Sequence, residues 1–208
     1  MIEVILAALV SAATEPQKAE PRGDPARWVR ARDLPAINAD AAVTTFDLTI
    51  DATGQPVGCT IIISSGSDSL DQTVCSAVLK RARFRPATDG NDSKVYSVRR
   101  DRVIWVPQSS GGNSSFDAAD LIVTTPELKA DGEILVDALL SITENGDVSH
   151  CTVAESSGDT RLDQIACEVA ANPNVALPLT DEANQKVAGI RSLFVTFEYG
   201  EAISVRLR

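Results

Sequence analysis

The sequence is poor in the residue types on which most metal, catalytic and nucleic-acid sites depend. It has a single histidine, and aromatic residues make up only 4% of its 208 residues. One histidine cannot supply a metal site built from several imidazoles, and a basic stretch without interleaved aromatic residues does not favour nucleic-acid binding. We therefore expect a non-enzymatic protein with an aliphatic core, no metal, no cofactor and no nucleic-acid partner.

The N-terminus lacks the long apolar run of a membrane-spanning helix, which needs about 20 residues. Its short apolar run is followed by Ser11, Ala12 and Ala13. That pattern is typical of a secretory signal peptide, which we predict over residues 1–13, although Glu3 stands where a basic residue is usual. The chain is expected to be exported and to have no stable membrane span.

What the sequence does contain is one block of residues that occurs twice, 92 positions apart and without a gap. The matching elements are Gly54 and Gly146, Cys59 and Cys151, Ser64-Ser65-Gly66 and Ser156-Ser157-Gly158, Leu70-Asp71-Gln72 and Leu162-Asp163-Gln164, Cys75 and Cys167, and Pro86 and Pro178. A fixed offset of this kind predicts a duplicated module. All four cysteines lie inside the repeat, which indicates two internal disulfides and an oxidising compartment.

The four cysteines allow three pairings, of which the repeat favours Cys59–Cys75 and Cys151–Cys167. A redox role is not favoured, because the spacing is not Cys-x-x-Cys and no basic cluster lies next to either pair. His150 precedes Cys151 directly, but strand alternation places the two side chains on opposite faces.

Hydrophobic periodicity predicts the same order of elements in each half: two strands, a helix and a last strand. The predicted strands are residues 46–50, 57–63 and 95–107 in the first half and 134–143, 148–155 and 190–199 in the second. Asp68 and Thr160 are the predicted N-caps, and the helices are expected to end before Pro86 and Pro173.

The fold class is therefore α+β, with two tandem ββαβ modules, each a helix on a small antiparallel sheet. The expected boundaries are a flexible lead-in at 14–27, a first module at 28–107, a linker at 108–117 and a second module at 118–208.

Charge is distributed unevenly in a chain whose formal net charge is −10. Residues 80–102 hold 8 basic and 3 acidic side chains, whereas residues 103–208 hold 6 basic and 16 acidic ones. Three interpretations of the basic stretch remain open. It is a solvated surface, it receives an acidic peptide beside the last strand, or it docks on the acidic second half.

The first half resembles the C-terminal domain of TonB-type energy transducers, in particular a cysteine-containing alphaproteobacterial variety. The resemblance rests on Trp28-Val29, Leu34-Pro35, Gly54, Cys59, Ser64-Ser65-Gly66, Leu70-Asp71, Cys75, Arg83-Phe84-Arg85-Pro86-Ala87 and Arg102-Val103-Ile104-Trp105. The second half has Val175-Ala176-Leu177 where the first has Arg83-Phe84-Arg85, and is a degenerate relative. The resemblance implies a periplasmic domain that adds a short extended peptide, such as one from an outer-membrane receptor, to an exposed sheet edge.

The candidate peptide site follows from that resemblance and from the basic stretch. It comprises the last strand of the first half and two arginines before it: Tyr96, Val98, Arg100, Arg102, Ile104, Arg83 and Arg85. Without a membrane anchor or a long proline-rich spacer, the chain is not expected to transduce energy itself. The alternative hypothesis is a structural envelope adaptor in which the two halves pair their last strands and no peptide site remains.

Overall fold

The computed structural model describes residues 14–33, 42–105, 119–128 and 134–207. These residues form two α-helices and thirteen strands, which confirms the mixed α+β class. The helices are α1 (Asp68–Arg81) and α2 (Thr160–Ala170). The strands are β1 (Glu20–Pro21), β2 (Ala42–Ile50), β3 (Pro56–Ile63), β4 (Phe84–Arg85), β5 (Ala87–Thr88), β6 (Lys94–Trp105), β7 (Leu121–Thr125), β8 (Ile134–Ile142), β9 (Val148–Glu155), β10 (Leu179–Thr180), β11 (Lys186–Val187), β12 (Gly189–Tyr199) and β13 (Ser204–Leu207).

Each half contains a hairpin of two antiparallel strands. In β2 the side chains of Phe46, Leu48 and Ile50 are fully buried, and the strand pairs antiparallel with β3. In the turn that joins them, the Asp51 carboxylate accepts hydrogen bonds from the backbone N–H of Thr53 and Gln55. Strands β8 and β9 form the corresponding hairpin in the second half.

The Ser-Ser-Gly turn that precedes each helix is fixed by an aspartate of that helix. Asp71 accepts hydrogen bonds from Ser64 Oγ at 2.6 Å and from the Ser65 N–H at 3.0 Å. Asp163 binds Ser156 and Ser157 in the same way. Gly66, at φ +83°, supplies the left-handed residue that the turn requires. The motif is therefore a structural turn.

The predicted N-caps are wrong by one residue, because both helices begin at the residues expected to precede them. Asp68 and Thr160 are the first helical residues, and the caps are Ser67 and Asp159. The Asp159 side chain accepts a hydrogen bond from the Arg161 N–H, whereas Ser67 makes no such side-chain bond.

The two disulfides are Cys59–Cys75 and Cys151–Cys167, with Cα–Cα distances of 5.5 and 5.8 Å. Both pairings favoured by the repeat are thus confirmed. Each bridge joins the second strand of a hairpin to the helix that follows it, and so fixes that helix over its strand.

Nine of the thirteen described strands form one large sheet in place of the two small antiparallel ones that were predicted, and β1–β4 and β10–β11 are separate two-stranded sheets. One row runs in the order β3–β2–β6–β12–β8–β9, and β12 also pairs with β7, which in turn pairs with β13. The two halves meet where β6 pairs parallel with β12, with Tyr96, Ser97 and Val98 opposite Gly189, Ile190 and Arg191. Beyond Arg191 the same edge of β12 pairs with β7 and no longer with β6. The sheet therefore divides into two branches, and we call this place the fork.

The two helices cover opposite faces of this sheet. On β12, Ile190 lies in the core under α1, whereas Leu193 lies in the core under α2. On β8, the neighbours Leu139 and Leu140 divide between the two cores in the same way. Since successive side chains of a strand point to opposite faces, α1 and α2 lie on different sides of one continuous sheet.

Residues 14–27 do not form the free lead-in that their proline and charge content predicted. Gln17 exchanges backbone hydrogen bonds with Thr88, β1 pairs with β4, and Ala19 is buried in the α1 core. Lys18 reaches the second half, where it pairs with the fully buried Asp137. Together with Trp28 and Val29, which follow directly and pack on the same core, these residues form a strap (residues 14–29) that crosses the junction of the two halves.

The predicted signal peptide and the predicted linker at 108–117 lie outside the described residues. Across the described part of the chain, no helix combines the length and apolar character needed to cross a membrane.

A candidate protein-interaction edge

The last strand of the first half, β6, has two different edges. One edge pairs antiparallel with β2 along residues 97–105. The other edge pairs with β12 only at residues 96–98. Among the described residues, no strand pairs with this second edge from Arg99 onward. Within the described part of the chain, pairing along this second edge therefore ends at Val98, before the upper half of β6 (residues 99–105).

A cavity of about 380 Å³ lies along this upper half of β6. Its walls come from the N-terminal strap, the sheet and the helix: Ala26, Trp28, Val29, Phe46, Val78, Val103 and Ile104. The cavity also has charged groups of both signs, contributed by Asp24, Arg99, Asp101 and Arg102. Arg99 and Asp101 form a two-bond ion pair at 2.7 Å. The cavity is thus apolar in its interior and charged at several points of its lining.

The structure places two of the seven predicted site residues in this cavity, Arg102 and Ile104. Tyr96 and Val98 lie instead where β12 pairs with β6, so their part of the edge is occupied. Val98 is 5% exposed and packs in the α2 core, and the Tyr96 hydroxyl donates to Glu182 at 3.3 Å. The predicted edge is therefore wrong for residues 96–98, because the second half covers it.

Arg83 and Arg85 do not join the other predicted residues. Arg83 donates to the carbonyls of Lys80 and Ala82 at the C-terminal end of α1, where a cation is favoured by the helix dipole. Arg85 pairs with Glu20 of β1 at 3.3 Å. The basic stretch is thus divided among separate local contacts and forms no single basic face.

Arg100 is part of a buried ionic cluster at the base of the fork. Its guanidinium bonds Asp47 at 2.7 and 3.1 Å and lies 2.7 Å from the Asp120 carboxylate. Arg191 of β12 reaches Asp47 at 3.3 Å. The cluster joins β2, β6, β12 and the residue before β7, so Arg100 holds the two halves together and does not face a partner.

Asp120 is the most deeply buried acid of this cluster. It is 1% exposed, and its carboxylate accepts a hydrogen bond from the Phe194 N–H at 2.7 Å. Burial raises the pKa of Asp120 to about 7, against the opposing effect of Arg100. A carboxyl group that is costly to ionise therefore holds the start of β7 against β12.

Strand β7 shows what the outer edge of a last strand can bind. Its five residues pair parallel with residues 195–199 of β12. Val195 and Thr196 stand 92 positions after Val103 and Ile104 of β6, which lie beyond its pairing with β12. The chain thus places one of its own segments on β12 at positions that correspond to this part of β6.

One of three comparisons with known proteins found a match. Residues 38–101 match a family model. The family is the Gram-negative bacterial TonB protein C-terminal domain. Comparison with the curated proteins and with the solved structures gave no match. The TonB C-terminal match covers the β2–β3 hairpin, α1 and most of β6, and it indicates a TonB-like protein-interaction role in the cell envelope.

The sequence analysis missed the contribution of the strap to the candidate site. Trp28 is 7% exposed and packs on Phe84 with ring centroids 5.3 Å apart, while Val29 and Ala26 complete the wall beside β6. A tryptophan at the end of a proline-rich and charged segment was the available signal, since so large an apolar side chain is seldom left in solvent.

Proposed function

We propose that the protein is a non-enzymatic periplasmic module that binds an extended segment of an envelope protein by adding it as a strand to β6. The segment pairs with residues 99–104, and its side chains on one face enter the cavity beside Trp28. One observation carries this proposal. The edge of β6 that faces away from β2 pairs with β12 only up to Val98, and residues of β6 beyond this point line a cavity. One class of envelope protein that fits this proposal is a TonB-dependent receptor.

The pairing of β7 with β12 supports a parallel orientation for the bound segment. Asp120, directly before β7, makes two hydrogen bonds with Phe194. Its carboxylate accepts one from the Phe194 N–H, and its backbone N–H donates the other to the Phe194 carbonyl. Phe194 stands 92 positions after Arg102. This pattern favours a partner segment of the same kind, with an acidic residue before a short β-prone run.

A synthetic peptide with the sequence of residues 119–128 tests this proposal, because it contains an acidic residue followed by a run known to pair with β12. Its affinity for the oxidised protein is measured by calorimetry. Ala26→Trp places a large side chain at the exposed rim of the cavity, and we expect it to weaken binding at least about tenfold. Ala183→Trp, on an exposed turn of the second half, is the matched control and should bind as the unchanged protein does. Equal affinity in all three proteins would contradict the proposal.

A structural adaptor is the second candidate function, and a different observation favours it. The ionic cluster of Asp47, Arg100, Arg191 and Asp120 joins the two halves, and β6 pairs directly with β12. In this case the protein is a rigid connector and the peptide does not bind β6. Slow amide exchange at residues 99–104 in the free protein would favour the adaptor, since it would show that the edge is already protected.

A further inference from the structure

The strands at the two ends of the main row, β3 and β9, are protected very differently. Within the described residues, β3 pairs only with β2, and β9 pairs only with β8. Each therefore has a row of outward backbone groups that an added strand can bind. Both hairpins have the same two register irregularities, so these do not distinguish the two edges.

What distinguishes them is charge. Strand β9 ends at Glu155, which is tied to Lys18 of the strap at 3.3 Å. At the corresponding position β3 has Ile63, and its eight residues include no charged side chain. Proteins usually protect an edge strand with charge, and β3 lacks this protection.

The end of β3 also adds an exposed apolar corner to the sheet face that α1 does not cover. Ile63 pairs with Thr45, and directly paired residues share a face. Val43 lies two residues from Thr45, so both side chains are on the same face of the sheet, and Phe46 is on the other face. Val43, Ile62 and Ile63 are 38%, 38% and 41% exposed. We call these three residues the β3 corner.

We propose that β3 is the docking edge for β3 of a second copy of this chain, in an antiparallel pair about a two-fold axis near Ile62. A two-fold axis perpendicular to the sheet keeps equivalent faces on the same side, so the two β3 corners merge into one apolar patch. The partner strand must itself be uncharged, because β3 offers no counter-ion, and β3 is such a strand. The contact is isologous and closes after two copies.

The pair is expected to be weak and strengthened by salt. An eight-residue strand is about 27 Å long, and a single strand pair buries less than the roughly 1,200 Å² of a stable interface. Each copy has a formal net charge of −10, so the two copies repel one another. Salt screens this repulsion and leaves the apolar contact intact.

Sedimentation equilibrium of the oxidised protein over a wide concentration range tests this proposal independently of the β6 site. We expect a concentration-dependent dimer that is tighter at high salt. Ile62→Lys should raise its dissociation constant at least about tenfold. Ala154→Lys, at the corresponding exposed position of β9, is the matched control and should leave the dimer intact.

Amide exchange at high concentration, read by NMR, should show new protection at the Ile62 end of β3 and none along β9. A monomer at every concentration would overturn the proposal. So would a dimer that Ala154→Lys disrupts equally, since this would mean pairing of β3 with β9. Open-ended growth or weakening by salt would overturn it as well.

Discussion

The Arg100 guanidinium lies 2.7 Å from the Asp120 carboxylate, and this contact joins the last strand of the first half to the residue that precedes β7. Asp47 and Arg191 complete the cluster, so that each of two cations lies close to an acid at the base of the fork. The place where the two halves meet is therefore polar and buried. Above it, in the part of the chain that the structure describes, pairing of β6 with β12 ends at Val98, and this relationship underlies both candidate functions.

Replacing Asp120 should change how stability depends on pH. Its pKa in the folded protein is about 7, above its ordinary value of 3.8, so the folded state binds the proton more tightly than the unfolded state. The stability contribution is fully present at acidic pH and is lost as the pH rises through about 7. We expect Asp120→Asn to remove this loss. Urea unfolding at a series of pH values measures it.

The control for this experiment is Asp147→Asn, since Asp147 lies exposed in the turn between β8 and β9. It should keep the pH dependence of the unchanged protein. If Asp120→Asn kept it too, the burial of Asp120 would not control ionisation at the fork.

Lys18 should contribute more to stability than Arg85, an exposed cation of β4 that pairs with the strap. It pairs with Asp137, whose side chain is 0% exposed, and its removal leaves that acid without its cation. Because Lys18 itself is 31% exposed, we expect Lys18→Met to cost about 2 kcal/mol. Arg85→Met breaks a mostly exposed pair with Glu20 and should cost less than about 1 kcal/mol. Equal losses in chemical unfolding would contradict the role of the strap as a connection between the halves.

The two aspartates that fix the Ser-Ser-Gly turns should differ in importance. Each accepts three hydrogen bonds, the third from Thr44 at 2.9 Å for Asp71 and from Ser157 Oγ at 2.7 Å for Asp163. Asp71 is 7% exposed, however, whereas Asp163 is only partly buried. We expect Asp71→Ala to cost about 2–3 kcal/mol because its partners lose a shared acceptor, and Asp163→Ala to cost less. Thermal unfolding of both variants decides the order, and a larger loss for Asp163→Ala would reverse the assignment.

Removing either disulfide should destabilise the protein by a similar amount. Both close loops with a sequence separation of 16, and the chain-entropy model gives about 3 kcal/mol for such a loop. Cys59→Ala with Cys75→Ala is compared with Cys151→Ala with Cys167→Ala by urea unfolding. A large difference would show that one bridge acts mainly through native contacts, for example by holding α1 over β3.

The sequence predicted the local structure well because local structure depends on neighbouring residues. Alternation at Phe46, Leu48 and Ile50 predicted β2, and the helices begin within one residue of the predicted positions. The repeat predicted both disulfide pairings, since an equal spacing in each half leaves one simple solution.

The arrangement of the two halves could not be predicted in the same way, and pairing of the two last strands was only an alternative hypothesis. Pairing of β6 with β12 depends on contacts between residues about 90 positions apart in the chain, and no local pattern reports them. The strap was misjudged because its proline and charge content resembles that of a flexible segment, although Ala19 and Trp28 are buried. Strand β7 was missed, although the β-branched pair Ile122 and Val123 was a signal for it.

The most direct test of the central claim is an NMR titration of the oxidised protein with the peptide of residues 119–128. The account predicts shifts of backbone amides at residues 99–104, together with shifts of Trp28 and Val29 across the cavity. Shifts confined to residues 195–199 would mean that the peptide merely exchanges with β7, and an absence of shifts would mean that β6 accepts no strand. Either result would contradict strand addition at β6.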